Sequence, residues 1–132
     1  SSQMPIRVRA EITAPNVVVV LDSSLLRVVN VTAGLRVKGT LVINSRKTLS
    51  EIEADFGHRW RLAVIDATRI AREVLGVPIV NTTMLGALLK ATGIVKPESL
   101  FEPLRERFGR LAERNIKTME RAFNETAVKE SA

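Results

Sequence analysis

Residues 78–93, PIVNTTMLGALLKATG, read as the end of a buried strand, a polar turn and a helix in one run. Met84, Leu85, Ala87, Leu88, Leu89 and Ala91 surround that helix with apolar side chains, so it needs a cover on every side, from another layer or another chain. Gly86 sits one turn into the helix, where glycine costs about 1 kcal/mol relative to alanine; close approach of a neighbouring backbone would offset that cost.

Upstream the same alternation recurs. Residues 17–21 (VVVVL), 40–43 (TLVI) and 62–65 (LAVI) are short, continuous apolar runs of the kind that fill strands covered on both faces. Asp66 begins a helix at 67–75 that Gly76 and Pro78 end, and 49–56 forms a short acidic helix broken by Gly57 and His58. Residues 6–12 alternate Ile6, Val8, Ala10 and Ile12 against Arg7, Arg9 and Glu11, predicting one edge or antiparallel strand with a wet face. Asp22, Ser23 and Ser24 open a helical turn through Leu25 and Leu26, and Ile79 with Val80 makes a fourth strand leading to Asn81 as helix cap. Pro97 starts another helical piece with a break or restart at Pro103. Ile116, Met119 and Phe123 mark an amphipathic terminal helix, after which TAVKESA frays.

Strands alternating with helices imply a mostly parallel sheet with right-handed crossovers, covered by helices on both faces. Composition agrees: 132 residues suit one domain, and 45% apolar content with 4% aromatics describes a Val, Leu, Ile and Ala core. No apolar run approaches the roughly 20 residues of a bilayer span, and no signal-like segment opens the chain, implying a cytoplasmic protein without membrane contact. With no cysteine, the chain holds no thiolate-ligated cluster. The net charge of +6 is scattered, which disfavours a nucleic-acid footprint and leaves an acidic protein or the phosphates of a nucleotide-like ligand.

Parallel sheets bind ligands beyond the carboxyl ends of their strands, and polar residues gather at those ends: Asp22, Ser23 and Ser24; Asn44 and Ser45; Asp66 and Thr68; Asn81, Thr82 and Thr83. For Asp66 and Asn81 helix capping is the preferred role. For Asn44 and Ser45 capping and ligand contact stand level, because no strong helix follows at once. The seven glycines never approach a GxGxxG or Walker spacing, so a self-sufficient dinucleotide site is disfavoured. His58 reads as a surface loop residue, Trp60 as packing at a strand start, and Glu51, Glu53 and Asp55 as a solvated helix face.

Several blocks, in order, resemble the gamma subunit of 2-oxoacid:ferredoxin oxidoreductases such as pyruvate synthase: PIRVRAEI at 5–12, VVVVLDSSLL at 17–26, VNVTAGL at 29–35, GTLVINS at 39–45, the run 64–93 and ERFGRLAERNIKTMERAF at 106–123. The resemblance implies a three-layer, Rossmann-like α/β domain with C-terminal helices, lacking the family's glycine-rich N-terminal part (similar to GRGGQG) and so N-terminally incomplete over residues 1–132. It implies an enzyme that oxidatively decarboxylates a 2-oxoacid to acyl-coenzyme A and reduces ferredoxin. Thiamine diphosphate, Mg and [4Fe–4S] clusters would belong to the alpha, beta and delta subunits. The gamma chain would have no catalytic or metal-binding residue of its own, serving assembly and the coenzyme A side. In that frame Asn44 and Ser45 are candidates for cofactor contact, and Asn81, Thr82, Thr83, Met84 and Gly86 for the subunit seam. The competing reading is a free-standing small-ligand or nucleotide-binding α/β module.

Overall fold

The computed structural model describes residues 6–7, 11–14, 17–21 and 39–131. Its strands form one six-stranded sheet in sequence order: β1 (Ile6–Arg7), β2 (Glu11–Ala14), β3 (Val17–Val20), β4 (Thr40–Asn44), β5 (Arg61–Ile65) and β6 (Ala127–Lys129). The centre is parallel, with Val17 beside Thr40 and Thr40 beside Arg61, while β1–β2, β2–β3 and β5–β6 are antiparallel. The helices are α1 (Leu49–Phe56), α2 (Ala67–Leu75), α3 (Asn81–Thr92), α4 (Phe101–Phe108) and α5 (Ala112–Glu125), with 3-10 turns at Pro97–Leu100 and Gly109–Leu111.

Alternation along the three parallel strands sorts the core into two faces. Val18, Val20, Leu41, Ile43, Leu62 and Val64 pack with Ile52 of α1 on one side. On the other, Val19, Val42, Ala63 and Ile65 meet Ala67 and Ile70 of α2, Met84, Ala87 and Ala91 of α3, and Ala122 of α5. Two helical layers around one sheet make the expected three-layer α/β fold. The first face is filled by branched aliphatics; the second is rich in alanine, which lets helices approach closely.

Local signals explain the helix limits. Thr48 and Glu51 form a reciprocal capping box for α1, with Thr48 Oγ1 accepting from Glu51 N at 3.2 Å and Glu51 Oε1 accepting from Thr48 N at 2.8 Å. Asp66 Oδ1 accepts from Arg69 N at 3.1 Å to start α2, and Gly76, at φ 82°, ends it in the left-handed conformation that side chains disfavour. Pro103 lies in the first turn of α4, where its missing N–H is no loss; the expected restart falls two residues earlier, where the 3-10 turn gives way to the helix.

Four expectations are corrected. The single strand at 6–12 is two, β1 and β2, paired antiparallel with Ile6 opposite Ile12. Ile79 and Val80 form no strand: β5 already has β4 on one edge and β6 on the other, Ile79 is 58% exposed, and Val80 turns at φ −104°, ψ 3°. Asn81 is the first helical residue of α3 rather than its cap, and no side chain caps that helix. The tail does not fray after α5, because Thr126 Oγ1 donates to Ala122 O at 2.6 Å, Ala127–Lys129 pairs with β5, and Val128 packs on the alanine-rich face. Lys129 then reaches Glu53 at 2.8 Å and Glu130 reaches Arg61 at 2.9 Å, tying the tail to α1 and β5. The expected turn at residues 22–26 lies outside the described residues.

Candidate functional site

The carboxyl edge of the parallel strands is organised by Asn44. Its Nδ2 donates to Leu21 O at 2.9 Å and to Thr68 Oγ1 at 3.0 Å, while its Oδ1 accepts from Ala67 N at 2.9 Å. One amide at the end of β4 thus links the end of β3 to the first turn of α2 after β5. Asn44 is 8% exposed, and its bond to Ala67 N is buried while those to Leu21 and Thr68 are part-buried, so leaving a partner unmet is costly. Its oxygen takes the first N–H of α2, as a capping group does, and its nitrogen straps the end of β3 to the same helix.

Ser45 beside it is half-buried, its N–H donating to Ile65 O at 2.9 Å and its Oγ accepting from Lys47 N at 3.1 Å. Arg46 and Lys47 follow on the surface, and Lys47 pairs with Asp55 at 2.7 Å, which raises the lysine pKa through that hydrogen bond and charge. A hydroxyl and two cations therefore follow a rigidly held strand end. Asp66 is the helix cap already described, and Thr68 receives the Asn44 amide.

The second candidate region is the packing of α3. Thr82 Oγ1 donates to Asn115 Oδ1 at 3.0 Å, Gly86 abuts Met119, and the Lys90 ammonium lies 5.2 Å from the centre of the Phe123 ring. Each pair is separated by the same 33 residues, so α3 and α5 run parallel, side by side. A Cβ built on Gly86 would overlap the Met119 carbonyl oxygen and stand 2.9 Å from its carbon. The close approach that Gly86 implies is real, and the neighbour is this chain's own α5.

Of the residues expected at the subunit seam, Thr82, Thr83, Met84 and Gly86 are buried within this chain and Asn81 is exposed. Apolar exposure appears instead at the helix ends, with Val77, Ile79 and Leu111 near the start of the parallel pair and Ile94 and Val95 just after α3. An open cleft of about 370 Å³ adjoins the latter, lined by Lys96, Pro97, Glu98, Glu120, Phe123 and Asn124. At the far end of α3, Arg61 Nη1 donates to Ala91 O at 2.5 Å, placing a cation on the negative end of the helix.

Sequence reading misses Asn115, whose partner is distant in the chain, and a ring of four charges joining α2 to α5. Arg69 pairs with Glu73 at 3.3 Å and Glu125 at 3.1 Å, and Arg121 pairs with Glu73 at 2.9 Å and Glu125 at 3.0 Å. Arg121 and then Arg69 hold the Glu73 carboxyl below the ordinary range, and both guanidiniums are raised. The i,i+4 spacings 69/73 and 121/125 were the available signal. Elsewhere His58 is exposed and meets Glu53 at 2.6 Å, while Trp60 is buried as a packing residue. Among the described residues no three His, Asp or Glu side chains stand close enough to hold a metal, and no helix is long and apolar enough to cross a membrane.

Fold and site define a Rossmann-like α/β domain whose polar groups hold backbone in place. The sequence matches the family described as pyruvate ferredoxin/flavodoxin oxidoreductase over residues 1–125. It is 50% identical to the pyruvate/ketoisovalerate oxidoreductases common subunit gamma of Thermococcus kodakarensis, covering 96% of this chain and 69% of that protein. It is 46% identical to pyruvate synthase subunit PorC of Methanocaldococcus jannaschii, over 91% of this chain and 65% of that one. The crystal structure of pyruvate oxidoreductase subunit PORC from Thermotoga maritima superposes with a TM-score of 0.78 at 32% identity, covering 93% of this chain and 67% of that chain. The chain therefore belongs to the pyruvate ferredoxin/flavodoxin oxidoreductase family, as a gamma-type subunit of an oxidoreductase.

Proposed function

We propose that this chain serves a 2-oxoacid:ferredoxin oxidoreductase that converts pyruvate to acetyl-coenzyme A, acting in assembly and on the coenzyme A side of the active site. The observation that carries the reading is the agreement of nearly the whole chain, in sequence and in fold, with gamma subunits of such enzymes. A subunit described as common to pyruvate and ketoisovalerate oxidoreductases supports a chain that leaves the choice of 2-oxoacid to its partners. Thiamine diphosphate, Mg and [4Fe–4S] clusters supply the decarboxylation and electron-transfer chemistry from the alpha, beta and delta subunits; this chain, without cysteine, offers no thiolate for a cluster.

The chain's own contribution would lie at the carboxyl edge. Asn44 holds the edge still, and Ser45 and Arg46 offer a hydroxyl and a positive charge to the phosphates of coenzyme A. The experiment is reconstitution of the complex with wild-type gamma chain, with the S45A/R46A variant and without gamma. Wild type should restore pyruvate-dependent acceptor reduction, and the variant should raise the coenzyme A KM several-fold with little change in kcat. A stable 14.6 kDa monomer that ignores the other subunits, yet gains thermal stability from a nucleotide, would replace this reading with the free-standing module.

A further inference from the structure

Among the described residues, the outer side of α5 carries three cations in no ion pair, with one exposed carboxylate, Glu120, a turn beyond Lys117. Arg110, in the turn before the helix, and Arg114 and Lys117 within it follow one another at intervals of four and three residues. That spacing puts them along one stripe. The buried residues Ala112, Asn115, Ile116, Thr118, Met119 and Ala122 occupy the opposite side of α5, and all three cations are exposed. Arg121 continues the stripe one turn on, but Glu73 and Glu125 neutralise it. Glu113 is drawn aside by Arg105 at 3.1 Å. Among the described residues no carboxylate pairs with Arg110, Arg114 or Lys117, and Leu111, 54% exposed, lies among them.

Three free cations around one exposed leucine do not describe a permanent interface, whose buried centre is apolar and depleted of charge. They do describe the small, steered contacts that redox proteins make in passing. We infer that the Arg110–Arg114–Lys117 ridge is a transient docking surface for a small acidic electron-carrier protein. This rests on the reading of the chain as a subunit of a ferredoxin- or flavodoxin-coupled oxidoreductase. The ridge orients the carrier; the clusters that hand over electrons stay on the neighbouring subunits.

The test is the complete complex carrying R114E and K117E, assayed with pyruvate at increasing salt, once with an acidic ferredoxin as acceptor and once with a viologen dye. At low salt kcat/KM for ferredoxin should fall about ten-fold or more, as expected when electrostatic steering is removed. The gap should close as salt shortens the screening length to about 3 Å near 1 M. Turnover at saturating ferredoxin and with the dye should stay at the wild-type level. An unchanged ferredoxin kcat/KM and salt slope would overturn the proposal. So would a complex that no longer assembles on size exclusion, which would make the ridge a fixed seam, or salt-sensitive binding of duplex DNA with ferredoxin kinetics unmoved. A wild-type complex without dye turnover would instead remove the oxidoreductase reading itself, and the docking proposal with it.

Discussion

The end of β4 and the α3–α5 seam are both buried, and they are held by opposite means. At β4 one amide meets three partners from two other elements, so directional bonds set the position of the backbone. At the seam the absence of a side chain at Gly86 lets the two helices touch, and shape decides. A hydrogen-bonded joint can lose its bonds and keep its outline; a steric joint can keep every bond and still be forced apart.

G86A puts this contrast to its hardest trial. Its Cβ meets a carbonyl group of the helix backbone, so relief requires moving α5, and a loss of about 3 kcal/mol or more in urea unfolding is expected. N44A should cost less, about 2 kcal/mol, by leaving the buried Ala67 N–H and the half-buried Leu21 and Thr68 oxygens without their partner. N44D sharpens the point: it keeps the acceptor for Ala67 N–H but sets a carboxylate against Leu21 O in a nearly buried site, so at pH 7 it should cost at least as much as N44A. If G86A proves milder than N44A, the seam yields more easily than its geometry says.

The smallest effect belongs to the exposed ring of charges beside the seam. Arg121 and Arg69 lower the Glu73 pKa in the folded chain, so unfolded chains take up the proton at a higher pH. The ring's contribution is therefore complete above the ordinary glutamate value of about 4.3 and is lost as pH falls through the lower folded value. Denaturant midpoints of wild type and E73Q should differ at pH 7 and converge in acid. A gap that does not narrow at all as the pH falls below the ordinary glutamate value would show that the glutamate acts through packing and not charge.

What was legible in the sequence is what depends on near neighbours. The runs 17–21, 40–43 and 62–65 announce central strands because they are apolar without interruption, and Asp66 with Gly76 brackets α2 by local capping chemistry. Gly86 announces a close approach but not the identity of the neighbour, since Met119 lies far along the chain. Ile79 and Val80 look like a strand because apolar pairs after proline often are, yet β6 holds the edge they would need. The short segment 127–129 looks like a tail and becomes a strand by pairing with β5, with Lys129 held by Glu53 and the next residue, Glu130, by Arg61. At the candidate site Asn44 was visible as a residue of interest, while its bonds to Leu21, Ala67 and Thr68 required the folded sheet.

That last strand has a consequence for the chain as it is made. β5 is paired on one side by β4, a short step upstream, but its other side waits for residues at the far end of α5. During synthesis the backbone N–H and C=O groups along that side remain open, and an open strand is a template for any other extended chain nearby. Nascent copies on neighbouring ribosomes would thus be most adhesive just before Ala127–Lys129 emerges, and those three residues close the window.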